Sequence, residues 1–301
     1  MRIIFKIIFS ILILFLLSVT YLSFFGIETT KFNKQIQNKI EEINKDLSVE
    51  LKEVKLTLNP LSYNFSAKTI GPKMIIKNQS VELESIKMNI PIKSLLSDQF
   101  LIEQIELSTK SIAIENLISF ANSIYKTPEL IVLEKFFKIK GYFIANINLE
   151  FDTVGNLKNN YKLSGFVKDT KLNISENNKI DKLNFIFDIS KDNFVFEDIN
   201  LKFNKYDLIS ERISTKKIDN YYLVNGIFKN DIISLNEEDI FLFKNIFSDF
   251  NLKKIKFSSS NDFTFNIDDK FKLSNLELIS DVQLQEARIL NSLNLKNIFQ
   301  I

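Results

Sequence analysis

Few residues in this chain are of a type and spacing that could do chemistry. Its adjacent carboxylates include Glu41-Glu42 and Asp268-Asp269, and two carboxyl groups held close together can divide acid and base roles. The first pair falls on the polar side of a helical pattern and the second between two strand-like runs. A solvated helix face and a turn explain them better than a catalytic dyad does. Glu237, Glu238 and Asp239 follow Asn236 directly, where a helix N-terminus favours carboxylates. Gly71-Pro72-Lys73 has the outline of a phosphate-loop fragment, but the flanking glycine and the Ser/Thr after the lysine are missing.

With 0 His and 0 Cys, the chain lacks the commonest proton-transfer group, the thiolate nucleophile and the usual transition-metal ligands. Asn64, Asn78 and Asn173 begin N-x-S triplets, which matter only in a eukaryotic secretory pathway. The sequence therefore points away from an enzyme, and it implies no cofactor and no metal. The 39 basic and 37 acidic residues nearly cancel and are spread evenly, so there is no electrostatic footprint for nucleic acid.

Hydrophobic residues make up 45% and charged residues 25%, which fits a folded chain rather than a disordered one. Phe occurs 29 times against 6 Gly and 4 Pro. Large apolar side chains with few breakers imply long regular elements with wide apolar faces.

Arg2 and Lys6 precede an uncharged run from Ile7 to Phe25, long enough to cross a hydrocarbon core as a helix. It is longer than the apolar region of a signal peptide and lacks a small-residue cleavage site. An uncleaved anchor over 1–27 is expected, N-terminus inside, with the rest exported. Phe32, Ile36, Ile40, Ile43 and Leu47 recur at helical spacing, giving an amphipathic helix within 28–48.

From Val49 the apolar period becomes two. Strands are expected at Val49–Leu58, Met74–Ile76, Val81–Leu83, Ile86–Ile92, Ile105–Leu107 and Ile112–Ile114. A helical turn is placed at Ser94–Asp98, and Asn116 is placed as the cap of a helix over Leu117–Tyr125. Residues 49–116 form one β region, 117–140 a helical insertion closed by Gly141, and 141–301 a repetitive β region. Strands in the latter are expected at Phe143–Phe151, Tyr161–Val167, Lys171–Ile174, Leu183–Ile189, Phe194–Phe203, Tyr221–Phe228, Ile255–Phe257, Phe263–Ile267 and Phe271–Ile279. Polar turns separate them, as in an antiparallel meander. The apolar phase slips between Phe196 and Ile199, which predicts a β-bulge near Glu197-Asp198. Asn236 caps a late helix ending near Phe250.

The fold class is thus α+β and β-dominated. One N-terminal transmembrane helix precedes a long antiparallel sheet with a few short helices, too few to cover its apolar face. A sandwich, a barrel, and a curved, groove-like (taco-like) trough whose lining meets an apolar ligand all solve that problem. The lining candidates are Ile147, Leu149, Phe151, Leu183, Phe185, Phe187, Ile189, Phe194, Phe196, Leu201 and Phe203.

The order of features at the N-terminus resembles the AsmA-like family. It comprises the basic leader, the single apolar helix, the amphipathic helix, a strand ending Asn59-Pro60-Leu61-Ser62, the run Ile86–Leu96 and the run Ile102–Glu115. The resemblance covers residues 1 to about 116. It implies a chorein-like β-groove anchored in the inner membrane, with its main domain in the periplasm and phospholipid acyl chains as cargo. The function implied is non-enzymatic lipid transport that supports outer-membrane assembly, with envelope assembly proteins as further partners. Members are commonly longer, so the chain is expected to be a short member or a fragment. The competing expectation is an anchored β-sandwich that binds other proteins.

Overall fold

The computed structural model describes residues 2–31, 33–43, 45–77, 79–95, 101–124, 139–173, 178–242, 252–268, 270 and 272–289. The chain divides into two compact units, Met1–Asn173 with Phe187–Lys191, and Ile174–Ile186 with Asp192–Ile301.

The first unit opens with α1 (Arg2–Phe24), long and apolar enough to cross a membrane. It ends where Phe25 and Gly26 donate their amides to the Tyr21 carbonyl, and Gly26 turns the chain with φ +70°. Then follow β1 (Ile27–Thr29), α2 (Asn33–Ile43), β2 (Leu47–Glu50), β3 (Val54–Asn59), β4 (Asn64–Ile70), β5 (Lys73–Ile76) and β6 (Gln79–Pro91). The unit continues with α3 (Ile92–Leu95), β7 (Gln104–Thr109), β8 (Ile112–Ala113), α4 (Ile114–Ile124), β9 (Lys140–Glu150) and β10 (Lys162–Asn173). Its main sheet runs β1-β3-β4-β6-β7-β9-β10, with β2 beside β5, β5 beside β6 and β8 beside β9. Every pairing in it is antiparallel.

One face of that sheet is apolar because the registers align the apolar residues in rows. Val54, Thr69, Ile86, Leu107, Ile147 and Leu163 stand opposite one another from strand to strand. Ile36 of α2, Leu47 and Val49 of β2, Ile76 of β5 and Phe120 of α4 join the same core. The other face is polar. Asn89 donates to Gln104 at 2.8 Å, Gln104 donates to Asn148 at 2.9 Å, and Lys87 pairs with Glu106 at 3.1 Å.

The second unit is a meander. After β11 (Lys179–Ser190), which contributes residues to both units, come β12 (Asn193–Phe203), β13 (Tyr206–Ile218), β14 (Tyr221–Asn236), β15 (Leu252–Asp268) and β16 (Leu273–Ile289). They pair in that order, all antiparallel. One short helix, α5 (Glu237–Leu242), packs on β14 and β15. Asn236 caps it as the sequence indicated. Its side chain accepts the Asp239 amide at 3.1 Å, and the Asp239 carboxylate accepts the Asn236 amide at 3.1 Å.

Several expectations are corrected. Three strands were missed, β1, β4 and β13. The expected pairs Val81–Leu83 with Ile86–Ile92, Tyr161–Val167 with Lys171–Ile174, and Ile255–Phe257 with Phe263–Ile267 are single long strands, whereas the run Val49–Leu58 divides between β2 and β3. In β10 the apparent break is a register shift between Lys168 and Lys171, with Asp169 at φ +52°. Leu47 belongs to β2 rather than α2, Asn116 lies inside α4 rather than capping it, and Gly141 lies within β9. The phase slip in β12 falls on Asp198 at φ +51°, but β12 keeps one register with β13 throughout. The register shift instead lies between Ile209 and Ile213 of β13, against β14. The second helical stretch of the insertion, Asp98, Tyr125 and the end of the late helix lie outside the described residues.

Candidate functional site: an aromatic sheet face

In the second unit two rows cross the sheet from β12 to β15. One runs Phe194, Thr215, Val224, Phe265, and the other runs Phe196, Ile213, Gly226, Phe263 and on to Leu278 of β16. Aromatic rings are spaced along both. Phe194 stacks on Tyr222 with centroids 5.5 Å apart, Phe228 on Phe263 at 5.6 Å, and Phe263 on Phe265 at 5.9 Å. Phe185 meets Phe196 edge to face at 5.7 Å. The rings fit because small residues lie between them. A Cβ added to Gly226 would stand 3.0 Å from the Phe263 ring and 2.8 Å from Ile213.

The aromatic residues of this face are half-buried. Among the described residues, the apolar side chains of this unit that are fully buried are Val195, Ile199, Leu235 and Ile240, and α5 is the one helix packed on the sheet. Beside it, β16 has β15 as its sole partner among the described residues, and it leaves Leu276, Leu278, Ile279, Val282 and Leu284 more than half exposed. An antiparallel sheet can leave one face in water when that face is polar. Here a face that no other layer covers among the described residues carries aromatic rings, which is what a site for an apolar ligand requires.

The expected lining residues divide between the units. Phe185, Phe194 and Phe196 join the aromatic face, and Leu183 precedes them on β11. Leu201 and Phe203 pair with Leu208 and Tyr206 at the β12–β13 hairpin. In the first unit, Ile147 and Leu149 stand opposite Leu107 and Ile105, and Phe151 packs on the core beside its bridge to Leu157. Phe187 is 3% exposed and stacks on Phe143 at 5.4 Å, so it is core of the first unit rather than open lining. Ile189 is half-buried in the same unit. Sequence reading left out Ile213, Tyr222, Val224, Phe228, Phe263 and Phe265. The alternation Phe263-Thr264-Phe265 was the signal available for the last two.

Asp268 and Asp239 have structural duties. Asp268 accepts the amides of Lys270 at 2.9 Å and Lys272 at 2.8 Å, the latter bond above all holding its carboxyl below the ordinary range. Asp269 lies outside the described residues, and Glu41 is exposed on α2. Burial of Asp239 pushes its carboxyl up, but hydrogen bonds from the Lys205 ammonium at 2.6 Å and the Asn236 amide more than offset it. Gly71 donates its amide to the Glu84 carbonyl at 2.8 Å, and a strand rather than a helix follows Lys73. That segment offers no helix N-terminus to a phosphate. No cluster of three or more metal-ligating side chains occurs among the described residues.

No family model, curated protein or solved structure matches the chain.

Proposed function

We propose that the chain is a membrane-anchored, non-enzymatic lipid-binding protein that carries phospholipid acyl chains on the aromatic face of its second unit. In this reading α1 sits in the inner membrane, the β units lie in the periplasm, and the transport supports assembly of the outer membrane. The observation that carries it is a wide face of half-buried rings on a unit one sheet thick among the described residues.

Burying a Phe or Leu side chain stabilises by roughly 1.5–3 kcal/mol, so several rings meeting an acyl chain supply useful affinity without a polar anchor. Headgroups would stay in solvent. The absence of His and Cys from the sequence and the structural engagement of Asp239 and Asp268 support a binding role over a catalytic one. The resemblance of residues 1 to about 116 to the AsmA-like family points the same way.

The test is the lipid content of protein extracted from native membranes, compared with the Phe196→Asp and Phe263→Asp variants. The expected result is phospholipid in the purified protein and its loss in both variants with the circular-dichroism spectrum unchanged. Lipid-free native protein, or full retention in the variants, would favour a protein-binding domain instead.

A further inference from the structure

Two hairpin tips of the first unit lie at the level of the end of α1, and nothing among the described residues buries their apolar side chains. α1 packs on β3 rather than on β1. Gly26 sits against the Leu56 carbonyl, Ile27 pairs with Leu56, and β3 is antiparallel to β1. The chain therefore leaves the helix along β1 and returns along β3 toward it. The three steps from Leu56 to Asn59 bring it back about 10 Å. Consistent with this, Val19, Leu22 and Ser23 are the half-covered residues of α1. Val19 lies about 7 Å below the end of the helix.

The tip reached in this way, Pro60–Tyr63, leaves Leu61 93% and Tyr63 75% exposed. The turn after β9 reaches the same level. Leu58, Phe65 and Ile90 form one row, and the registers of β6 with β7 and of β7 with β9 extend it through Glu103 to Phe151. The Phe151 amide donates to the Glu103 carbonyl at 2.9 Å. Beyond that row, Val154 is 77% and Leu157 53% exposed. Asp152 fixes this turn by accepting the Val154 amide at 2.9 Å and the Asn156 amide at 2.8 Å. Charges behind the tips are engaged, Glu150 with Lys158 at 3.7 Å and Glu103 with the Asn64 amide group at 2.7 Å.

We propose that these two tips, Leu61 with Tyr63 and Val154 with Leu157, insert into the surface of the bilayer that α1 crosses. They seat the first unit on the membrane as a rim. The inference rests on the reading of α1 as an anchor. A helix of 23 residues is about 34 Å long, slightly more than a hydrocarbon core of about 30 Å. Residues level with its last turns therefore lie where headgroups meet acyl chains, the depth that Tyr favours.

The chain has 0 Trp, so single tryptophans report position without background. The full chain carrying Leu61→Trp, Val154→Trp, Phe15→Trp or Lys171→Trp would be reconstituted in phosphatidylethanolamine–phosphatidylglycerol vesicles containing brominated lipids. Position 171 lies about 30 Å along β10 from the tip. Expected are quenching of Phe15→Trp by deep bromines, quenching of both tip variants by shallow bromines, and none at position 171. Quenching at 15 with either tip unquenched overturns the rim and leaves the anchor standing, as does equal quenching at 171. An unquenched Phe15→Trp means that the anchor reading has failed and takes the rim with it.

Discussion

The ring of Phe187 lies across the main chain of Gly165. A Cβ built on that glycine would stand 2.8 Å from the ring's Cζ and would collide with the Ile144 carbonyl oxygen on the neighbouring strand. Ala145, opposite Gly165 in the register, is 0% exposed beneath the same aromatic pair of Phe143 and Phe187. Gly165→Ala should therefore overpack the first unit and lower its stability by about 1–3 kcal/mol, measured by urea denaturation. An unchanged midpoint would show that ring and strand can separate freely.

Phe187→Asp should unfold the first unit, because it buries a charge with no partner at a cost of several kcal/mol. Phe196→Asp, on the half-buried aromatic face of the second unit, should leave the fold intact. Comparing the two by limited proteolysis tests whether the faces differ in kind. Equal sensitivity would mean that the second unit's aromatic face is ordinary core.

The α5 cap should respond to pH in a defined direction. Asp239 is held below the ordinary carboxyl value of about 3.9. The stability it contributes is present above that value and is lost as pH falls through its lowered folded value. Its partner Lys205 is raised, chiefly by the hydrogen bond to Asp239. That contribution is present below the ordinary value of about 10.4 and is lost as pH rises through the folded one. Asp239→Asn should accordingly melt earlier than the parent at neutral pH, with the gap closing as the pH falls below the ordinary carboxyl value. A gap that persists unchanged in acid would contradict the pairing.

α1 should stay attached to the mature protein, since Val19, Leu22 and Ser23 are half-covered within the first unit and Gly26 is seated against β3. N-terminal sequencing of membrane-extracted material should find residues 1–25. Soluble protein starting near Phe24 would overturn this.

Period-two alternation made most strands legible in the sequence, and the helical spacing of Ile36, Ile40 and Ile43 revealed α2. The strands missed have physical reasons, and β1, three residues long, is too short to show an alternation. β13 carries Asp207, Glu211, Arg212, Lys216 and Lys217, and its inward phase changes at the register shift between Ile209 and Ile213, so no single alternation runs through it. β4 shows only Phe65, Ala67 and Thr69 inward, two of them too small to register as apolar. Breaks were placed where polar residues interrupt a strand. Asp169, however, takes a left-handed conformation inside β10 without ending it. The lining was half legible. Alternation located Phe194 and Phe196, but pairing alone could bring Tyr222 onto Phe194 and Phe263 over Gly226. Burial of Phe187 depends on Gly165, more than twenty residues earlier, which no local pattern reveals.

The most direct test of the lipid-carrying face is a photo-crosslinking amino acid at position 196 or 263, activated in intact cells. Covalent phospholipid adducts at both positions, with none at the exposed position 171, are the expected result. Adducts to protein alone at 196 and 263 would contradict lipid carriage and make this face a protein-binding surface.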